Sequence, residues 1–331
     1  MSRRYLPIVC CIGVLAIDSW LCSPAPAQTA LKKLRLGIAA TSVGFLPIYA
    51  AHQKGFYRDE GIDLEIILMS LAAANNAFFK GEIEYSAGLT GLALAATRNY
   101  PAKILIFTIA KPLQSFVSRK EIREPRELKG KKVAGSSPGG SATILAYQAL
   151  KHFALEPGKD VQVLPMGGSG AGRLAVLEQG VVDAALLSVP ENIIAVNKGY
   201  NELIFLGDVV SFPQNGFGTS VARIQQQPDE VYRMVRATYR GLQFVSDEAN
   251  REPARDVMMK QWRVSDQKLA AEMLGYLKRG LAKDAAISPQ AVQYFIDLTR
   301  ETSNVAQPIS AAQVVDFSFL EKARKELALT R

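Results

Sequence analysis

Cysteine is nearly missing from this chain of 331 residues: there are three, Cys10, Cys11 and Cys22, all near the N-terminus. Beyond Cys22 no thiol is present to form a disulfide, attack a substrate or hold a metal. Histidine is as scarce, with only His52 and His152. A structural zinc site therefore has almost nothing to draw on. Neither histidine has an Asp or Ser at a spacing that points to a catalytic triad. His52 reads as a packing residue on a helix beside Tyr49 and Phe56, and His152 as a basic residue at a helix end. Beyond the first thirty residues there is no long apolar run, which excludes a multi-spanning membrane protein. Gly and Pro stand at 25 and 16 with no period, so collagen-like and low-complexity readings fall away. What is present, 48% hydrophobic and 21% charged residues, is the composition of a globular protein long enough for two domains.

The first thirty residues carry their own pattern. Arg3 and Arg4 form a positive start, Tyr5 to Ile17 is an apolar stretch too short to span a bilayer, and Ala25-x-Ala27 is a small-residue cleavage pattern. A secretory signal peptide is expected over residues 1–27. Arg3-Arg4 resembles a twin-arginine signal, but no polar spacer precedes it. Leu21 before Cys22 departs from the small residue that lipidation favours. Cleavage after Ala27 removes Arg3, Arg4 and Asp18, so the net charge falls from +8 to +7. Along most helices Lys and Arg alternate with Asp and Glu, the pattern of solvated faces rather than of a nucleic-acid footprint. No nucleic-acid partner is expected. A net positive surface steers anionic ligands.

An internal duplication organises the rest. Lys33–Ala39 reads as a strand with alternating Leu, Leu and Ile, and Lys131–Gly135 is its counterpart; Gly37 and Gly135 are 98 residues apart. The turn and strand Gly61–Met69 is copied by Gly158–Met166, with Asp63 and Asp160 offset by 97. Gly81–Ala87 matches Gly180–Leu186 at an offset of 99. Each half alternates strands and helices, with Pro47 in the first turn of one helix and Gly55 at its end. That alternation predicts two α/β lobes built on parallel sheets. From Pro228 onward the pattern is helical only. The tail is expected to pack back on the first lobe, so that the chain crosses between lobes twice, near 108–113 and 211–220. The expected organisation is residues 32–110 plus 220–331 in lobe 1 and 111–219 in lobe 2, with the two crossings acting as a hinge.

Three segments carry a family resemblance. Ala51-His52-Gln53-Lys54-Gly55-Phe56-Tyr57-Arg58-Asp59-Glu60-Gly61-Ile62-Asp63-Leu64, Glu127-Leu128-Lys129-Gly130-Lys131-Lys132-Val133 and Leu174–Ala185 resemble segments of the periplasmic solute-binding proteins of ABC importers. The likeness is to the branch that handles taurine, aliphatic sulfonates, nitrate and the pyrimidine precursor of thiamine. It covers Leu34 to Leu206 well and the helical tail loosely, and it is silent on substrate. It implies an α/β fold of two Rossmann-like lobes with a ligand cleft between them, like the type II periplasmic binding proteins. It implies export to the periplasm, a small-molecule ligand, ABC permease subunits as partners, a monomer, and neither cofactor, metal nor catalysis. Two other classes use related architecture: enzymes, such as pyrimidine synthases and a desulfinase, and ligand-sensing receptor domains. In those enzyme families the chemistry relies on cysteine, which this chain lacks beyond Cys22.

In open α/β sheets ligands bind beyond the carboxyl ends of the strands. With two lobes facing each other, those ends line one cleft. In the first lobe this points to Ser42, Gly44, Phe45, Ser70, Leu89 and Thr90. In the second it points to Ser136, Ser137, Gly140, Ser141, Gly168, Ser169, Ser188 and Glu191, with Asn215 on the return crossing. Phe45 is either a wall of the cleft or core. Glu191 is either a first-turn acid or a ligand contact. The Ser136–Ser141 turn lets backbone N–H groups and the hydroxyls of Ser137 and Ser141 approach an anion at a helix start; its plainer reading is a tight turn with Ser141 as N-cap. No Gly-Lys-Ser/Thr follows, so it is not a nucleotide loop. Gly167–Ser169 reads as a second turn of this kind. Arg173, just after it, reads as an exposed helix-face residue, with a ligand contact as the alternative. Together these features point to capture of a small organic anion, sulfonate-, nitrate- or carboxylate-like.

Overall fold

The computed structural model describes residues 30–329 apart from 40, 99, 167 and 168. The expected signal segment and Gly168 lie outside the described residues. The first α/β region holds β1 (Lys32–Ile38), α1 (Leu46–Gln53), α2 (Phe56–Asp59), β2 (Ile62–Leu68), α3 (Leu71–Phe79), β3 (Tyr85–Ser86), α4 (Leu89–Thr97) and β4 (Ala102–Ile109). The second holds β5 (Gln114–Ser118), β6 (Lys132–Gly135), α5 (Ser141–His152), β7 (Gln162–Pro165), α6 (Gly170–Glu178), β8 (Ala184–Ser188), α7 (Glu191–Asn197) and β9 (Asn201–Phe205). Then come β10 (Gln214–Ser220), α8 (Val221–Gln226) and a helical tail: α9 (Pro228–Ser246), α10 (Arg251–Trp262), α11 (Gln267–Gly280), α12 (Pro289–Thr302), α13 (Ala311–Val314) and α14 (Ser318–Leu329). No helix among the described residues is long and apolar enough to cross a membrane.

Two five-stranded sheets form, in the orders β2-β1-β3-β10-β4 and β7-β6-β8-β5-β9. The repeat is visible in them. β1 and β6 hold the second place of their sheets, each between two parallel neighbours. The sheets are mixed, however, not parallel throughout. β10 runs antiparallel to β3 and β4, and β5 antiparallel to β8 and β9. The fourth place of each sheet is thus taken by the strand that follows a crossing between lobes. β10 pairs wholly within the first sheet, so the return crossing is complete by Gln214, ahead of the expected boundary at residue 219.

The long helix α9 buries Val231, Met234, Val235, Thr238, Leu242 and Val245, a stripe at helical spacing. It shares one core with Leu34 and Leu36 of β1 and with Leu46 and Ile48 of α1. Burying a side chain such as Leu242 contributes about 1.5–3 kcal/mol. The tail does not keep to the first lobe alone. Arg279 of α11 pairs with Asp208 at 2.8 Å, and Tyr294 of α12 donates to Gln148 of α5 at 3.2 Å.

Glu230, in the first turn of α9, locks the tail to the first sheet. It is 2% exposed. It pairs with Lys32 at 2.6 Å and Arg223 at 2.5 Å, and accepts from the Tyr85 hydroxyl at 3.0 Å. Burial pushes its carboxyl up, but hydrogen bonds from Lys32, Arg223 and Tyr85 outweigh that and hold it below the ordinary carboxylate value. Its stabilisation is present above the unfolded value of about 4.3 and is lost as pH falls through the lower folded value. Glu230→Gln is therefore expected to cost about 1.5–3 kcal/mol at pH 7, with the lower figure favoured because Lys32 is half exposed. The deficit should shrink below about pH 4. Urea unfolding across pH 3–8 checks this; a deficit independent of pH would show that the charge is not what matters.

Candidate functional site

Between the two sheets lies a cavity of about 550 Å³. The ends of β1, β2 and β8 open into it, as do the starts of α3, α4, α5 and α6. Parallel strands feeding helices put these N-termini on one side of each sheet, and two facing sheets aim them at a common space. Thirteen of the fifteen expected residues line it: Ser42, Phe45, Ser70, Leu89, Thr90, Ser136, Ser137, Gly140, Ser141, Ser169, Ser188, Glu191 and Asn215. Gly168 lies outside the described residues. Gly44 is buried beneath the cavity rather than on its wall. A Cβ there would sit 2.3 Å from Asn215 Oδ1, so the glycine makes room for the Asn215 side chain. Phe45 serves in both of its expected ways, being 4% exposed in the core and on the wall.

At α5 the cap is Gly140, and Ser141 is the first helical residue. The Thr143 N–H donates to Ser136 Oγ at 3.3 Å and to Gly140 O at 3.0 Å. The N–H groups of Ser141 and Ala142 have no acceptor among the described residues, and both residues face the cavity. This helix start is open to an anion.

The start of α6 is different. Ser169 caps it, accepting from the Gly172 N–H at 3.3 Å. The Glu191 carboxylate lies against Gly170, where a Cβ would be 2.5 Å from Oε2, and accepts from the Ala171 N–H. A carboxylate of the protein thus occupies the place that an anionic ligand group was expected to take at the second turn. Burial pushes the Glu191 carboxyl up; its own N–H, the charge of Arg173 and the Ala171 N–H pull the other way without cancelling it. Arg173 is not an exposed helix-face residue. It is 4% exposed, lines the cavity, and donates from Nε to the Leu186 carbonyl at 2.6 Å. Burial pushes its guanidinium down and the Glu191 charge opposes that. α6 packs its Arg173 side onto β8, an orientation that one arginine in a sequence cannot reveal.

Several wall residues escaped the sequence reading. Leu68 ends β2 and Met69 follows it, Gln114 starts β5, Phe212 sits on the return crossing, and Phe295 comes from α12 in the tail. The lining therefore combines the apolar side chains of Phe45, Leu71, Leu89, Phe212 and Phe295 with hydroxyls and carboxamides. His52, whose Nε2 lies 3.1 Å from the Leu64 carbonyl, and His152 are not among the lining residues. Among the described residues no three His, Cys, Asp or Glu side chains gather as a metal would need.

A family model described as NMT1/THI5 like matches residues 42–251, more than half of the chain. The chain belongs to the NMT1/THI5-like family. Among curated proteins, this NMT1/THI5-like chain is 26% identical over 232 residues to the riboflavin-binding protein RibY of Chloroflexus aurantiacus, covering 66% of this chain and 64% of that one. The fold is that of the periplasmic binding proteins. The periplasmic nitrate-binding protein NrtA of Synechocystis PCC 6803 superposes with a TM-score of 0.74 at 17% identity, over 90% of both chains. An enzyme shares it too: the desulfurization enzyme DszB matches with a TM-score of 0.64 at 17% identity, over 91% of this chain and 100% of that one.

Proposed function

We propose that this NMT1/THI5-like chain is the exported solute-binding component of an ABC importer. It captures a small organic anion, with a sulfonate or carboxylate head and an apolar body, and hands it to the permease from the periplasm as a monomer, without catalysis. The observation that carries this reading is the cavity itself, lying between two lobes that the chain crosses twice. Its lining holds an open helix start at Ser141 and Ala142, serine hydroxyls and the aromatic residues Phe45, Phe212 and Phe295, and among the described residues no Cys or His. Small-molecule sites span roughly 300–1,000 Å³. A bare inorganic anion, a few water volumes of about 30 Å³ each, would leave most of this cavity empty. The closing bodies are residues 32–110 with the strand and tail after the return crossing, and the segment between the crossings.

The mature chain titrated with taurine, benzenesulfonate, benzoate and nitrate in a thermal-shift assay tests this. The organic anions are expected to raise Tm and nitrate to do so least; a site held at about 100 times its Kd gains about 2.7 kcal/mol. Ser137→Ala and Ser141→Ala should each weaken the best anion by about 1.5–3 kcal/mol, since the bonded partner is charged. Because Gly140 holds the cap position, neither variant should lower the ligand-free Tm appreciably. A panel in which no anion shifts Tm, or in which a cation binds best, overturns the reading.

A further inference from the structure

Two glutamines occupy equivalent places in the duplicated fold. Gln114 is the first residue of β5 and Gln214 the first of β10. Each of these strands follows a crossing between the lobes, holds the fourth place of its sheet, and runs antiparallel to its neighbours. Both residues line the cavity. They are 6% and 7% exposed. Gln114 Oε1 and Gln214 Nε2 are both buried without a hydrogen-bond partner among the described residues.

A buried carboxamide end without a partner is costly, and folded proteins keep such groups paired. The buried ends are closed to the cavity; the opposite ends of the same carboxamides, Gln114 Nε2 and Gln214 Oε1, also have no partner among the described residues and are the ends left open to it, at the two points where the lobes are joined. A carboxamide offers a donor and an acceptor, and a half-turn of the group exchanges them. The group that best answers two such side chains is itself an amide, with one N–H and one C=O on opposite edges. Leu and Met side chains would have filled these positions without any unpaired atom.

Resting on the solute-binding reading, we infer that Gln114 and Gln214 recognise a neutral amide in the body of the ligand, so that the substrate class is an organic anion carrying a –CO–NH– group. The head is held at the start of α5, and the amide is read at the crossings. Binding to both glutamines ties together the two strands that enter the lobes, which couples recognition to closure.

Hippurate and 4-phenylbutanoate test this. Both have a phenyl ring, a carboxylate and three linking atoms, and only hippurate has the amide. Calorimetric titration of the mature protein should show hippurate binding at least tenfold more tightly. Gln114→Leu and Gln214→Leu should each weaken hippurate tenfold or more and leave 4-phenylbutanoate within threefold. Without ligand, both variants should melt at or above the parent temperature, because an unpaired buried group has been removed. Variants that melt well below the parent would show that the glutamines are structural, and the inference falls. It falls equally if the two probes bind alike, or if neither binds. The anion panel is decided separately: taurine, benzenesulfonate or benzoate binding with no hippurate preference leaves the solute-binding function standing and removes only the amide.

Discussion

Phe295→Ala is expected to destabilise the protein by about 3–5 kcal/mol, a fall in Tm on the order of 10 °C. The ring is 1% exposed, so truncation leaves a void that close-packed neighbours cannot fill. It packs edge-on to Phe107 of β4 at 5.6 Å between centroids, and against Phe212 at 5.0 Å. One side chain of the tail therefore holds the first sheet, the return crossing and the cavity wall together. Phe295→Leu should keep most of the stability, because it retains most of the buried volume. Thermal and urea unfolding of the two variants check this. A loss under about 1 kcal/mol for the alanine variant would mean that the aromatic cluster collapses freely and does not hold the return crossing to the first sheet.

Arg173→Met is expected to cost about 1.5–3 kcal/mol at pH 7, by removing a buried charged donor from the Leu186 carbonyl and the neighbouring charge from the buried Glu191 carboxylate. The pH dependence identifies the cause. The Glu191 carboxyl is already raised by burial in the parent, and removing Arg173 removes one of the influences that oppose the rise. A raised acid contributes stability below its unfolded value and loses it as pH rises through the folded value. The deficit of Arg173→Met should therefore be largest at neutral pH and shrink toward pH 4. Adding Glu191→Gln should recover part of it at pH 7, because a neutral amide needs no counter-charge and still accepts from the Ala171 N–H. Unfolding free energies of the two single variants and the double variant at pH 4 and 7 measure the coupling. Additive losses with no pH dependence would show that Arg173 does not act through the Glu191 charge.

Much of the site was legible because the repeat fixes which loops follow strand ends. Ser42, Ser70, Thr90, Ser137 and Ser188 were found in this way, with no knowledge of what they touch. Arg173 and Glu191 were harder. Their proximity depends on how α6 lies over β8, and a helix face is set by the sheet beneath it rather than by the helix's own residues. Ser141 was misplaced by one position at its cap, as local signals at helix ends often are. Phe212 and Phe295 gave no local sign at all, because an apolar residue reads the same whether it faces a core or a ligand.

The sequence by itself determined the duplicated α/β halves, the helical tail and the strand-end loops, since alternating and 3.6-residue patterns are local properties of the chain. Only the tertiary structure decided that the strands after the crossings are antiparallel, that the tail reaches both lobes, that a carboxylate of the protein fills one of the two expected anion turns, and that Gln114 and Gln214 meet one cavity. Each of these depends on contacts between residues from about twenty to more than a hundred positions apart, or on which side of a helix meets a sheet, and no local pattern encodes either.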